Sequence, residues 1–496
     1  MPTMSLLSLH ILCGIALLQV FVTSSPLPSN SIPRYFQSNP STRSHISVSQ
    51  IEQELGPMLS PESAIFLPSD PGWENVTERY NTLAPPDIEI AIQPAEEADI
   101  PIIVRYCNDN SLEFLAVNRG HGITTSLSVF KGVQIDLKKL TAISIEPDGK
   151  SALFQGGVRA GEAIATLWDQ GYVTGLYGLV ADNIIHLNLV LADGSTISVN
   201  ETSHDDLLWA MKGAGHNFGI ATSFKLKIYP KNTDTWHYHN YYWTQDKLEK
   251  VFEELNKMQD DGRAPVLMGS SFGQISINQS VSKTEAILWW TFSYAGPASE
   301  AEDILRPFNE IETISEDMGD VPYPEIVVPQ GTDTPSCGSA AYIFSTTMLR
   351  TWNITTERKQ YELFNRNAAL YPELATTAHL YYEGYGVKGM QVVDSASTAY
   401  PHRDENHLVY FSTAVPDGSN LTDVARTWGK DSWDLWIAGR PTLKPATYVN
   451  YASGYKYESL ESIYGYEPWR LERLRGLKHK YDPENRFRFF VPIISH

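Results

Sequence analysis

The sequence predicts an α+β protein. Three observations carry this. β-Rich runs flank a strong hairpin signal at Asp193-Gly194. Helix-periodic stretches are mixed with such runs, without the regular alternation of a parallel βαβ repeat. An amphipathic helix returns near the C-terminus, with Leu471, Leu474 and Leu477 on one face. The 496 residues allow two or three domains at about 100–200 residues each. Hydrophobic residues make up 42% and charged residues 19%, as in ordinary globular chains. The net charge is −20 with no basic stripe. Nucleic acid is therefore excluded as a partner, because it needs clustered Lys and Arg. A small, uncharged or cationic substrate fits better.

Residues 1–24 are an apolar run without charge, ending in small residues with Val22 and Ser24 at the −3 and −1 positions. They read as a signal peptide, with a retained anchor as the alternative. No later stretch is a membrane span, so the expected protein is secreted and free of membrane after cleavage. Sequons at Asn75, Asn200, Asn278, Asn353 and Asn420 fit secretion. Cys13 leaves with the signal, and Cys107 and Cys337 are able to form one disulfide in an oxidising compartment. No cysteine cluster or ligand spacing suggests zinc, and no metal is expected.

Residues 25–81, rich in Pro and Ser, read as a loosely packed leader with an amphipathic patch near Ile51–Leu59. Within 82–230, Ile100, Ile103, Val104 and Cys107 have helical spacing, and Pro101 should disturb the first turn. "EFLAV", "GVQIDL" and "SALFQGGV" read as strands, and "AGEAIATLWDQG" as a helix stopped by Gly171. The hairpin follows. The next helix takes Ser203 as its N-cap, with acidic residues in its first turn. Residues 231–440 are aromatic-rich and read as a second α+β domain, with a helix over Asp246–Met258 and a strand in "EAILWWTFSYA". Residues 441–496 hold the terminal helix, stopped by Pro483.

The most informative piece is "AVNRGHGITT", Ala116–Thr125. Successive amides in a glycine turn form a nest for an anion such as pyrophosphate. A plain strand-to-loop turn is the alternative, since the pattern is neither a Walker A nor a GxGxxG fingerprint. "YGLVADN" and "KGAGHNFGIATSF" are further glycine turns, and His216 suits a structural hydrogen bond. "TYVNYASGY" reads as an extended run with Tyr448 and Asn450 on one side and Val449 and Tyr451 on the other. A phenol serves as general base only if its pKa, about 10 when free, is lowered; aromatic packing is the alternative. "AYPHRDENH", with His402 and Arg403, suits either a pocket or a solvated loop. No nucleophile elbow points to a serine hydrolase.

Taken in order, "AVNRGHGITT", "VQIDL", "GLYGLVADNIIHLNLVLADGSTISV", "DDLLWAMKGAGHNFGIATSF", "YVNY" and "KHKYDPENRF" resemble the secreted fungal FAD-linked oxidoreductases of the berberine-bridge-enzyme-like group. That group lies within the vanillyl-alcohol-oxidase flavoprotein superfamily. The resemblance implies a two-part PCMH-type FAD-binding domain (82–230 plus 441–496) with an inserted α+β substrate domain (231–440). It implies that FAD is attached through His121. Asn118, Arg119, Gly120, Gly122, Thr124 and Thr125 would surround the pyrophosphate. Tyr177, Gly178, Gly219 and Ile220 would lie along the cofactor. Tyr451 would be the base, with Tyr448 and Asn450 near flavin or substrate. The implied reaction oxidises an alcohol, sugar or secondary-metabolite intermediate, with O2 as acceptor.

One departure stands out. Family members continue after the helix with a Cys-containing turn and a glycine cluster before Y-G-L. Here "DQGYVT" joins "GLYGL" directly at Thr174. The second covalent anchor, a Cys, and one glycine-rich loop are absent. A skipped exon or faulty gene prediction accounts for this, with a genuinely shortened variant as the alternative. The short connection should strain the sheet or expose a seam. The competing functional reading is a non-catalytic or mis-predicted family member that has lost FAD binding.

Overall fold

The computed structural model describes residues 48–173, 177–259, 265–332 and 340–494. The signal segment with Cys13, the leader before residue 48, Cys337 and the junction at Thr174 lie outside them. Cys107 is a free, buried thiol.

The first sheet joins β1 (Ala64–Phe66), β2 (Asp87–Gln93), β3 (Phe114–Val117) and β4 (Lys131–Asp136) in the order β1-β2-β4-β3. Strand β4 runs parallel to both β2 and β3. Helix α1 (Val48–Leu55) precedes it, and helix α2 (Asp99–Asp109) crosses from β2 to β3. Ile100, Ile103, Val104 and Cys107 are fully buried on this sheet. Pro101 sits in the first turn of α2, where its missing N–H has no intrahelical partner to lose, so the expected disturbance does not occur. Residues 48–81 are not loosely packed. Ile51, Leu55 and Leu59 are buried in the same core, and β1 pairs with β2.

The second sheet is antiparallel: β5 (Ile143–Ile145), β6 (Ser151–Gln155), β8 (Ile184–Val190), β9 (Thr196–Asn200) and β10 (Ile220–Lys227), in the order β5-β6-β10-β8-β9. Gly194 takes φ +79° in the β8–β9 turn, which only glycine adopts without strain. Helix α3 (Ala160–Asp169) follows β6, and helix α4 (Asp205–Ala214) follows β9. Ser203 does not cap α4. His204 occupies that position with left-handed backbone, while the Ser203 hydroxyl donates to Ser198 O at 3.0 Å. The terminal helix α9 (Pro468–Tyr481) packs on α4, with Leu471, Leu474 and Leu477 in a shared core with Leu187, Leu189 and Val199.

The described residues on both sides of the shortened connection are tied to their neighbours. Gly171 turns the chain out of α3 at φ +82°. β7 (Tyr172–Val173) then pairs with β11 (Tyr229–Pro230), and Lys231 N donates to Gly171 O at 2.7 Å. Tyr177 stacks on Tyr229 with centroids 3.8 Å apart. Among the described residues from 159 to 203, positive φ occurs only at glycines, so the expected strain is not stored there. Among the described residues flanking the connection, Tyr177 and Val180 are exposed large hydrophobic side chains.

The third sheet contains β12 (Trp236–Trp243), β13 (Met268–Ser276), β14 (Ile287–Tyr294), β15 (Ser315–Val321), β16 (Ala341–Leu349), β17 (His379–Tyr385) and β18 (His407–Val415). Their order is β15-β12-β14-β13-β17-β18-β16, all antiparallel. Helices α5 (Leu248–Gln259), α6 (Ala298–Asn309), α7 (Ile354–Leu370) and α8 (Thr422–Ala438) bury one face of it. The opposite face of β17 and β18 turns toward the tail segment at Tyr448–Tyr451.

Candidate active site

Two cavities meet at His216, Gly219 and Asn450. The first, about 980 Å³, is lined by the β3 exit (Val117 to Gly122), by Arg159, by Gly219 and Ile220, and by Phe487, Phe489 and Phe490 of the tail. The second, about 840 Å³, lies between the glycine turns at Gly178 and Gly213, strands β17 and β18, and Tyr448–Tyr451. Both volumes suit a small-molecule site.

The β3 exit builds the first wall. Gly120 has φ +69°, and a Cβ there would come within 2.6 Å of Glu78 O. The chain turns against the 78–80 backbone at that point, with Tyr80 N donating to Gly120 O at 3.1 Å. His121 stands exposed on the cavity wall. Burial, Arg159 and Arg119 together hold its pKa below the ordinary value, so its ring stays neutral and nucleophilic. Asn118 donates to Gly156 O (3.1 Å) and Val158 O (3.2 Å), while its Oδ1 is buried without a hydrogen-bond partner. Arg119 donates to Gly157 O at 3.1 Å, and its Nε is buried and unpaired. Thr124 and Thr125 do not line this cavity. Thr125 donates its N–H and hydroxyl to Ser453 O at 2.9 and 3.0 Å, and Thr124 bonds Ser126. Thr125 is thus tied to the tail, and Thr124 to its own turn.

His216 packs against Phe490 and shares a 3.0 Å hydrogen bond with the Tyr464 hydroxyl. Burial lowers its pKa to about 4, in keeping with a structural role. Gly178 lines the second cavity, but Tyr177 lines neither. His407 also lines the second cavity, whereas His402 and Arg403 do not. Arg403 makes a two-pronged 2.7 Å pair with Asp182, which fastens the turn that leads into β8.

Tyr448 to Tyr451 is a single 3-10 turn, Val449–Tyr451, rather than an extended run. The turn brings Tyr448, Asn450 and Tyr451 together on the cavity wall. Asn450 Nδ2 donates to the Tyr448 hydroxyl at 2.7 Å. The Tyr451 hydroxyl donates to Glu383 Oε1 at 3.2 Å, and Tyr385 donates to Glu383 Oε2 at 2.8 Å. Sequence reasoning missed Glu383. Burial raises its carboxyl pKa against the lowering effect of these tyrosines. The Tyr451 phenol is pushed up, by burial and then by Glu383. This is the reverse of the shift a lone phenolate base requires.

Residues 88–177 match the FAD binding domain family. The FAD-linked oxidoreductase iacH of Pestalotiopsis fici is 53% identical, over 97% of this chain and 97% of its own. The chain belongs to the fungal FAD-linked oxidoreductases. In fold it is similar to the wild-type BBE-like 1 protein of Physcomitrella patens (TM-score 0.74, 18% identity, 90% of this chain and 100% of that one). It is likewise similar to the glucooligosaccharide oxidase of Acremonium strictum, described with a 6-S-cysteinyl, 8α-N1-histidyl FAD (TM-score 0.72, 21% identity, 90% and 100%). The alignment with the Pestalotiopsis relative spans 507 positions, more than the 496 residues here. That relative thus carries residues with no counterpart in this oxidoreductase.

The first cavity fits the family's cofactor. Asn118 Oδ1 and Arg119 Nε are orphaned polar atoms on its wall. Arg79, Arg119, Lys138 and Arg159 supply cationic charge for a diphosphate, and the tail phenylalanines supply apolar surface.

Proposed function

We propose that this FAD-linked oxidoreductase oxidises a hydroxyl group on an apolar or aromatic small molecule, with the Tyr451–Glu383 pair as proton acceptor and O2 as the final electron acceptor. The observation that carries this reading is the 3.2 Å contact between Tyr451 and the half-buried Glu383 carboxylate, in a cavity sharing His216, Gly219 and Asn450 with the first. FAD, when bound, supplies the two-electron acceptor for the carbon-bound hydride.

The chain's own residues manage the proton. Tyr451 takes the substrate hydroxyl proton as its own passes to Glu383 Oε1. The carboxylate ends up protonated, and no free phenolate need form. The raised pKa of Glu383 makes it a better acceptor than an ordinary carboxylate. Tyr385 holds the other oxygen, and Asn450 orients Tyr448 beside Tyr451. Met211, Met348, Val387, Met390 and Leu408 give the cavity an apolar wall, which suits a hydrocarbon or aromatic frame better than an oligosaccharide. His121 is the covalent attachment point, and no cysteine among the described residues stands as a second one. The same proposal places the protein outside the cell, with glycans at Asn75 and Asn420, both exposed.

Purified protein is tested by visible absorption before and after acid precipitation, and by peroxide release. The substrates are aromatic and allylic alcohols set against oligosaccharides. Yellow pelleted protein and turnover of the apolar alcohols support the reading. Folded, colourless protein overturns it, and preference for oligosaccharides overturns the substrate class.

A further inference from the structure

Strand β12 carries His237 and His239 two residues apart, so both imidazoles leave the same face of the strand. This is the face that α6 covers. Both are buried, with side chains 4% and 2% exposed. Glu302 of α6 reaches between them: its Oε1 lies 2.8 Å from His237 Nε2 and 2.9 Å from His239 Nδ1. The other nitrogen of each ring faces a different acid on edge strand β15. His237 Nδ1 is 2.8 Å from Asp320, its direct cross-strand neighbour. His239 Nε2 is buried with no hydrogen-bond partner, and Glu316 Oε2 lies 3.6 Å away. Among the described residues, no lysine or arginine forms an ion pair with any of these three acids.

The proton count decides how this cluster is read. A neutral imidazole has one N–H. If that N–H serves the outer acid, as the His237–Asp320 distance indicates, the inner nitrogen presents a lone pair to the carboxylate oxygen of Glu302. The hydroxyl of Tyr241 adds to the conflict. It lies 3.0 Å from His239 Nδ1, yet donates to Asn309 Oδ1 at 2.5 Å. Two outcomes satisfy the lone pairs. Either His237 carries both its N–H groups, one toward Glu302 and one toward Asp320, while His239 turns its single N–H to Glu302, or one cation sits among the three inner ligand atoms. These atoms all lie within 4.8 Å of one another. The second outcome also explains the outer acids. A histidine bound to a metal characteristically donates its other N–H to a carboxylate, and here His237 is so placed toward Asp320, with Glu316 the acid nearest to His239 Nε2, at 3.6 Å.

We propose that His237, His239 and Glu302 bind a divalent transition metal of the zinc class, with Asp320 and Glu316 as the carboxylates that orient the two rings. Two nitrogens and one carboxylate oxygen suit zinc and leave a fourth position open. None of the three ligands lines either cavity. The metal is a clamp: it fastens α6 and the exposed edge strand β15 to β12. The half-exposed Asp320 and Glu316 mark the route by which the ion enters.

The test uses the full-length, FAD-loaded protein after chelation and desalting, titrated with Zn²⁺ alone by calorimetry. The proposal expects one saturable equivalent, a rise in Tm on binding, and X-ray absorption showing two imidazole nitrogens on the ion. His239→Gln and Glu302→Gln should each weaken binding at least tenfold, and Asp320→Asn about 10- to 100-fold. Absence of saturable binding overturns the proposal. So does an unchanged affinity in a folded His239→Gln protein. If the buried variants fail to fold, Asp320→Asn and the absorption spectrum of the parent protein decide.

Discussion

Glu383→Gln isolates the proton acceptor from the scaffold. The amide keeps the shape of the side chain, and its oxygen still accepts a hydrogen bond from one of the two tyrosines now at 3.2 and 2.8 Å. Folding and flavin content should therefore be unchanged. What disappears is the basic oxygen that takes the Tyr451 proton. Positioned general bases contribute about 10²–10⁴-fold, or about 3–5 kcal/mol of barrier at 1.36 kcal/mol per decade. The assay is anaerobic, single-turnover reduction of the flavin at 450 nm (~) across a pH series. The parent should show an acid limb, with rate rising as pH rises through the Glu383 pKa. Burial lifts that pKa above the ordinary carboxyl value, and only the ionised form accepts a proton. The Gln variant should be slower by that factor and should lose the limb. Tyr451→Phe should slow reduction comparably without loss of flavin. A Gln variant within twofold of the parent, or one that retains the acid limb, would refute the relay.

Three further outcomes are expected. His121→Ala should release its flavin to the supernatant on acid precipitation while the parent's flavin stays in the pellet; parent flavin in the supernatant would refute the covalent link. Stability should fall as pH drops below about 6.5, because burial lowers His216 and His402 to about 4 and His407 to about 3. The unfolded chain then binds protons that the folded one refuses, with about 3 kcal/mol at stake for His216 by pH 4, and a Tm flat from pH 7 to pH 4 would contradict this. Gly213→Ala should destabilise the protein by several kcal/mol (~3), since Gly213 has φ +144° and a Cβ there would collide with the Tyr400 backbone; thermal melting checks it.

What the sequence disclosed were features with local causes. The α2 face, the Asp193-Gly194 hairpin and the His121 turn follow from spacing and glycine chemistry within about ten residues. Glu383 escaped because its meaning is non-local. It is one acid in the tyrosine-rich "HLYYEGY" of β17, and only pairing with β18 and the return of the tail bring Tyr451 to it. The His237–His239 pair was visible as a period-two signal in "WHYHNYYW", yet its acids come from α6 and β15. The turn at Val449–Tyr451 went the other way: alternating aromatics suggested extension, while the chain closed a 3-10 turn with Tyr451 N bonded to Tyr448 O at 2.9 Å. Thr124 and Thr125 carry the family's motif, but Thr124 bonds Ser126 and Thr125 bonds Ser453 of the tail.

The wall formed by Phe487, Phe489 and Phe490 has a consequence for the order of events in biosynthesis. These residues leave the ribosome long after the His121 turn, and the tail is stitched to earlier residues: Ser126 to Phe489 O at 2.9 Å, and buried Lys478 to Asn217 O at 2.6 Å. At about 5–20 residues per second, the His121 turn waits tens of seconds (~) for the surface opposite it. A nascent chain can assemble its first sheet, but it cannot enclose a flavin. Cofactor capture therefore waits on the tail: a chain stopped before Phe487 would lack one side of the chamber, and would stay colourless however well the residues before it had folded.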